Sequence, residues 1–152
     1  MRQIEQFKDY EIVAEYNLRF KSVRESVTTV NSSISAIRRA LDRKGVEKDR
    51  EHFFVLFLDG QNKEICTELL SSGTINTAAV YPREIIKKVL EHEAVSIVLG
   101  HNHPSGNIAP SNSDKTLTRK ITVACTSIDV DVLDHIIIGG ADTYSFADHR
   151  LL

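Results

Sequence analysis

Two histidines and one aspartate in a short segment of the sequence have the residue types and the spacing of metal ligands. His101 and His103 are separated by one residue, and Asp114 follows after a stretch that contains Pro104 and Gly106. Two imidazoles and one carboxylate leave the fourth tetrahedral position of a zinc ion open, which distinguishes a catalytic zinc site from a structural one. A water in that position becomes an attacking hydroxide near neutral pH. The segment therefore predicts a hydrolytic zinc site.

The elements around this segment predict how the three side chains are brought together. A short apolar strand over 94–99 leads directly to His101, and alternate residues of a strand point to the same side. Asp114 falls in the first turn of a helix that Ser111 or Ser113 can cap. A position after a strand and before a helix is where open α/β sheets place their binding sites.

The rest of the pattern predicts an α/β (α+β) domain, a mixed sheet flanked by helices, over residues 51–152. Pro82 marks the start of one flanking helix. Apolar runs bounded by turn residues predict strands over 53–58, 64–70, 132–138 and 144–146. Residues 1–50 are predicted to be an N-terminal extension with an edge strand over 10–20 and a helix capped at 31–33.

Length and charge limit the classes of function. The chain has 152 residues, enough for about one domain. A net charge of -2 gives no overall basic surface for nucleic acid. One basic cluster is typical of the solvated face of a helix and consists of Arg38, Arg39, Arg43 and Lys44.

Two cysteines and the N-terminal segment bear on the compartment. Cys66 and Cys125 belong to no C-x-x-C pair, which predicts reduced thiols of a cytosolic protein. The first residues lack the apolar region of a secretory signal. No apolar run approaches the roughly 20 residues that cross a bilayer. We therefore expect a cytoplasmic protein.

The stretch H-N-H-P-S-G-x-x-x-P-S-x-x-D, from His101 to Asp114, closely resembles the JAMM (JAB/MPN+) metalloprotease motif in its bacterial RadC-like form. Other segments agree with a RadC-type domain in order and spacing, namely 53–59, 81–84, 132–135 and 150–152. The resemblance covers residues 51–152. It implies the JAB/MPN fold, a mixed sheet flanked by helices and related to the cytidine deaminase architecture.

The resemblance also implies roles for individual residues. His101, His103 and Asp114 correspond to the zinc ligands of the family. Ser111 corresponds to the serine that stabilises the tetrahedral intermediate. The family also needs an upstream glutamate as general base, and Glu51, directly before the first central strand, is the residue we assign. Glu51 could instead be a surface residue of a charged connector, and the other candidates are Glu64, Glu68 and Glu84.

The function implied is that of a zinc-dependent metallopeptidase or isopeptidase acting on an unidentified protein or peptide. A second possibility is a non-catalytic, zinc-bound JAB module linked to DNA repair or to mobile elements, as in short RadC-type proteins. The DNA-repair association comes with the family and does not follow from these residues. A zinc hydrolase of nucleic acids ranks last, because the chain has no Trp and little net charge.

The remaining histidines have less specific surroundings. His135 follows Asp134 at an apolar strand and is either a partner of a metal ligand or a strand residue bonded to the backbone. His52, His92 and His149 lie among polar residues and are predicted to face solvent.

Overall fold

The fold is a single mixed sheet with helices on both faces. A computed structural model describes residues 10–14, 17–20, 27–43, 46–73 and 80–152. The strands are β1 (Tyr10–Ala14), β2 (Asn17–Phe20), β3 (Glu51–Leu58), β4 (Glu64–Gly73), β5 (Ser96–Asn102), β6 (Asp131–Gly139) and β7 (Asp142–Ser145). The helices are α1 (Val30–Leu41), α2 (Pro82–Glu91) and α3 (Asn112–Thr126).

The seven strands lie in the order β1-β2-β4-β3-β5-β6-β7. Among the described strands, β5 and β6 form the one parallel pair, and α3 connects them. The other neighbours are antiparallel. The predicted α+β class with a mixed sheet is therefore confirmed.

The continuous apolar run of β3 is explained by burial on both faces of the sheet. Phe54, Leu56 and Leu58 pack with α1, whereas the alternate residues 53, 55 and 57 pack with α2 and α3. Strands covered on both faces lose the alternation of polar and apolar residues. The hydrophobic core thus consists of two layers, one on each side of the sheet.

Helix α1 begins earlier than the predicted cap at 31–33. Its N-cap is Thr29, whose hydroxyl accepts from the Ser32 amide at 3.1 Å, while the Thr29 amide donates to the Ser32 hydroxyl at 2.9 Å. This capping box satisfies two amides at once, which a cap at residues 31–33 would not. The helix packs in the same buried cluster as β3 and β6. The domain boundary at residue 50 stays a prediction.

The N-terminal segment contains two strands where one edge strand was predicted. Strand β1 pairs antiparallel with β2, and β2 in turn pairs with β4, Leu18 lying opposite Leu69. Residues 15 and 16, which connect the two strands, lie outside the described residues. Within the described part of the chain, no helix is long and apolar enough to cross a membrane.

Strand β5 continues beyond the predicted end at residue 99 and includes His101 and Asn102. It pairs with β3 on one side, Phe53 opposite His101, and with β6 on the other, Asn102 opposite Ile138. All seven of its residues are buried. The first histidine of the motif therefore lies in a strand that is paired on both edges and buried along its whole length.

Replacement of Gly100 tests how closely α1 packs on β5. A Cβ at Gly100 would lie 2.6 Å from side-chain atoms of Ile37. We expect Gly100→Ala to lower the free energy of unfolding by about 1–3 kcal/mol, the usual cost of overpacking. The measurement is urea denaturation of Gly100→Ala in the wild-type and Ile37→Ala backgrounds. An equal cost in both backgrounds would contradict the close approach.

Candidate metal centre

His101 and His103 are brought together by the end of β5 and by the turn that follows it. The ring of His101 stacks on Phe53 of the neighbouring strand, with centroids 6.0 Å apart. The His103 amide donates to the carbonyl of Ile138 at 2.8 Å. The backbone pairing with β6 therefore continues one residue beyond the end of β5. Gly106 then donates to the carbonyl of His103 and adopts φ +83, which favours glycine.

Asp114 is fixed by the N-terminus of α3. Ser111 is the N-cap, and its hydroxyl accepts from the Asp114 amide at 3.0 Å. The Ser111 amide donates to Asp114 Oδ2 at 2.8 Å. This reciprocal pair is a capping box with an aspartate at its third position. Because the Ser111 amide binds one carboxylate oxygen of Asp114, and the Asp114 amide binds the Ser111 hydroxyl, the carboxylate has little rotational freedom.

The three predicted ligands meet at one point. The distances are 2.9 Å between His101 Nε2 and His103 Nε2, 3.5 Å from His101 Nε2 to Asp114 Oδ1, and 3.6 Å from His103 Nε2 to Asp114 Oδ2. Tetrahedral ligands bound to zinc at about 2.0–2.1 Å lie about 3.3 Å from one another. The donor atoms therefore fit a single zinc ion, and the group contains three side chains of the described residues.

The second nitrogen of His103 fixes its tautomer. Its Nδ1–H donates to the carbonyl of Asn107, and a carbonyl can only accept. The neutral ring therefore presents the Nε2 lone pair to Asp114 and His101, as a metal ligand must. When the ring is protonated, Nε2–H donates to Asp114, which raises the pKa of His103 against the effect of burial, and the charge of Glu51 contributes to the increase.

The carboxylate of Asp114 is held in its charged form. Burial alone would raise its pKa, but His101 and His103, which hydrogen-bond to the carboxylate when their rings are protonated, outweigh burial and hold the pKa well below its usual range. His101 is buried and His103 is half-buried. With both rings neutral, the carboxylate of Asp114 gives the site a net negative charge. Such a site favours a divalent cation.

The side chain of His135 contacts the predicted metal ligand His101 and, within the described part of the chain, does not bond to the backbone. Its Nε2 lies 2.7 Å from His101 Nδ1, and its Nδ1 lies 2.6 Å from the hydroxyl of Thr118. The ring is fully buried between Phe146, which stacks on it, and the edge contact of Phe53. Burial lowers the pKa of His135 well below its usual value, so the ring is neutral.

Glu51 lies at the position where the register of two strands predicts contact with the centre. Phe53 pairs with His101 at the end of the β3–β5 register, and Glu51 lies two residues before Phe53, on the same face of β3. Directly opposed side chains project from the same face of a sheet. The contribution of Glu51 to the raised pKa of His103 agrees with this proximity.

Asn102 holds the backbone on both sides of Glu51. Its Oδ1 accepts from the His52 amide at 2.8 Å, and its Nδ2 donates to the carbonyl of Arg50 at 2.8 Å. The side chain points to the sheet face opposite His101 and His103, as alternation along β5 requires. Asn102 therefore anchors the start of β3.

The other candidate glutamates lie elsewhere. Glu64 and Glu68 are buried on β4, and Glu84 is exposed on α2. Two histidines were predicted to face solvent, but His52 is buried and the side chain of His92 is only 5% exposed. His52 contacts the carbonyl of Glu47, and His92 Nε2 lies 2.5 Å from Glu68 Oε1.

A second group with metal-binding residue types consists of Cys66, Glu68 and His92. The ammonium of Lys88 lies 2.7 Å from Glu68 Oε2 and is itself largely buried. The carboxylate therefore already has a positive partner, and a metal ion would have to displace it. The group is better explained as a buried ion pair beneath α2 than as a metal site.

Comparison with known proteins identifies the family of this chain. A family profile described as the RadC-like JAB domain matches residues 30–151. The chain belongs to this family. The match begins at the start of α1, and so it includes the helix that packs on the sheet as well as the predicted ligands and Glu51.

Several bacterial proteins are similar to this RadC-like chain. It is 46% identical over 121 residues to the UPF0758 protein YkfG of Escherichia coli (strain K12), which covers 80% of this chain and 77% of that protein. It is 47% identical over 112 residues to the UPF0758 protein YeeS of the same strain, with 74% of each chain covered. A UPF0758 protein of Actinobacillus pleuropneumoniae serotype 5b is 40% identical over 140 residues, and this chain spans 62% of its length.

Metal analysis tests which group binds zinc. We expect purified protein to contain about one zinc ion per chain and His103→Ala and Asp114→Ala to lose it, since each removes one of three ligands. Cys66→Ala is the matched control, because it removes a donor from the second group. Elemental analysis after dialysis measures the content. Loss of zinc in Cys66→Ala with retention in His103→Ala would place the metal in the other group.

Proposed function

We propose that this RadC-like domain is a zinc-dependent metallopeptidase or isopeptidase of the JAMM class. The observation that carries the proposal is the group of three ligands, His101, His103 and Asp114, with its donor atoms 2.9–3.6 Å apart and Glu51 close enough to act on His103 by its charge. Three protein ligands leave a position for water and substrate, which a closed structural site lacks.

When bound, zinc would supply a Lewis acid that polarises the scissile carbonyl and lowers the pKa of water. Glu51 would accept the proton of the attacking water and deliver it to the leaving amine. General acid–base catalysis of this kind contributes typically 10²–10⁴-fold. Asn102 supports the role of Glu51, because its two hydrogen bonds fix the backbone on either side of that residue.

Ser111 would stabilise the oxygen of the substrate carbonyl. Its hydroxyl oxygen accepts from the Asp114 amide, and a hydroxyl has one proton of its own to donate. The residue is exposed, so a substrate can reach it. The same side chain would then orient a metal ligand and donate to the developing oxyanion.

A cavity beside His103 would bind part of the substrate. It has a volume of about 380 Å³, within the range of ligand sites, and lies between α1 and the ends of β5 and β6. Apolar and charged side chains line it, among them Leu41, Ile138 and Lys48. This mixed lining suits a protein or peptide substrate. The two cysteines are buried and form no disulfide, which suits the cytoplasm.

Substitution of Glu51 tests the general base. We expect Glu51→Gln to lower chelator-sensitive cleavage at least 100-fold without loss of zinc, since an amide cannot accept the proton. Glu84→Gln, an exposed glutamate on α2, is the matched control and should keep full activity. Mass spectrometry of a peptide mixture, incubated with and without chelator, gives the cleavage profile.

Normal turnover by Glu51→Gln would contradict the assignment of the base. A zinc-loaded wild-type protein that cleaves nothing in a chelator-sensitive way would contradict the hydrolase. The alternative, a zinc-bound JAB module that recognises a partner in DNA repair or mobile-element functions, would then remain.

Substitution of Ser111 tests the oxyanion donor. We expect Ser111→Ala to lower kcat about 10²–10³-fold, the usual effect of removing one such donor. Loss of the N-cap would also cost about 1 kcal/mol of stability. Ser111→Thr keeps both the cap and the donor and should remain active. Unchanged kcat in Ser111→Ala at full zinc occupancy would exclude the role.

A further inference from the structure

A continuous chain of hydrogen bonds joins two of the metal ligands through residues that bind no metal themselves. It runs from His101 Nδ1 to His135 Nε2 at 2.7 Å, and from His135 Nδ1 to Thr118 Oγ1 at 2.6 Å. Thr118 Oγ1 then reaches the backbone carbonyl of Asp114 at 2.7 Å. His135 and Thr118 are both fully buried.

The direction of every proton in this chain follows from its last member. A carbonyl only accepts, so the Thr118 hydroxyl donates to Asp114 and its oxygen accepts from His135 Nδ1–H. A neutral imidazole carries a single proton, so Nε2 of His135 is an acceptor. It therefore receives Nδ1–H of His101. The Nε2 of His101 is left with a free lone pair, directed at His103 and Asp114.

We propose that His135 and Thr118 are positioning residues, which hold His101 in the tautomer and ring orientation that metal binding requires. This inference rests on the metal site of the proposed function and deepens it. The outer partners of metal-bound histidines fix the ring and increase its basicity, and their loss typically weakens metal affinity 10–100-fold. Here the outer partner, His135, is itself oriented by Thr118. The chain of hydrogen bonds ends on the backbone carbonyl of Asp114, another ligand.

A merely structural role for His135 would have a different signature. Its ring is packed between Phe146, at 4.6 Å between centroids, and Phe53, at 5.6 Å. If packing were its whole contribution, another aromatic ring of similar size would preserve the metal affinity. If the metal affinity depends on a hydrogen-bond acceptor for His101 Nδ1–H, an aromatic ring without an acceptor would lower that affinity.

Two variants of Thr118, Thr118→Val and Thr118→Ser, give the most conservative test. Thr118→Val keeps the shape of the side chain and removes the hydroxyl, so His135 Nδ1–H has no acceptor. We expect the Kd for zinc, measured by competition with a chromophoric chelator, to rise about 10-fold, toward the lower end of the known range. Thr118→Ser should bind zinc as the wild type does. Thr122→Val is the matched control, because Thr122 makes the same bond to a carbonyl one turn back without a histidine.

Two variants of His135, His135→Gln and His135→Phe, test the role of Nε2 as a hydrogen-bond acceptor. His135→Gln offers an amide oxygen near the position of Nε2, whereas His135→Phe offers a ring and no acceptor. We expect His135→Phe to weaken zinc binding about 10–100-fold and His135→Gln to weaken it less. Thermal unfolding of the metal-free proteins shows which variants keep the fold. If His135→Phe does not fold, the two Thr118 variants decide.

Nitrogen-15 NMR of the imidazole rings in the zinc-loaded wild type gives a readout that packing alone would not produce. We expect protons on Nδ1 of both His101 and His135, and none on Nε2 of either. A proton on His135 Nε2, or unchanged zinc affinity in both Thr118→Val and His135→Phe, would overturn the inference while leaving the metal site intact. A wild-type protein that binds no zinc would overturn the metal site and the inference with it. Zinc binding without peptide cleavage would overturn only the proposed activity.

Discussion

The pairing of β5 on both of its edges is the constraint on which the metal centre depends. Hydrogen bonds to β3 and β6 fix the strand laterally, and the two buried clusters fix it from above and below. His101 therefore extends from a backbone with almost no freedom. A ligand on such a strand keeps its position without help from the metal, which lowers the entropy lost on binding.

The two neighbours of β5 contribute different parts of the site. Strand β3 brings Glu51 and Phe53 to the face of the histidines, and β6 brings His135 to the far side of the His101 ring. Helix α3, which joins β5 to β6, supplies Asp114 and Thr118 from its first two turns. One β-α-β unit and one antiparallel strand thus position the residues of the candidate site.

The clustering of the predicted ligands followed from their local spacing, whereas contacts between residues distant in sequence could not be predicted in this way. His101, His103, Ser111 and Asp114 lie within one segment, so strand alternation and helix capping sufficed to bring them together. The contact of His135 with His101 joins residues 34 positions apart, and that with Thr118 joins residues 17 apart. Polar neighbours in the sequence suggested exposure for His52 and His92, but burial depends on the elements that pack over them.

The same limit applies to the fold. The run 53–58 predicted β3 because burial on both faces leaves a continuous apolar pattern, and Pro82 marked the start of α2. The division of 10–20 into β1 and β2 was missed, since a loose alternation continues across both strands. Asn102 offered no signal in the sequence, because its role depends on the backbone of residues 50 and 52, at the start of another strand.

The orientation of α3 has an electrostatic consequence of its own. The N-terminus of a helix carries a partial positive charge from aligned peptide dipoles, equivalent to about half an elementary charge. Ser111 and Asp114 place that end directly at the centre. A bare helix end would repel a cation there, but the Asp114 carboxylate lies between them and cancels the repulsion. A substrate oxygen that gains negative charge beside Ser111 would instead be attracted by the same dipole.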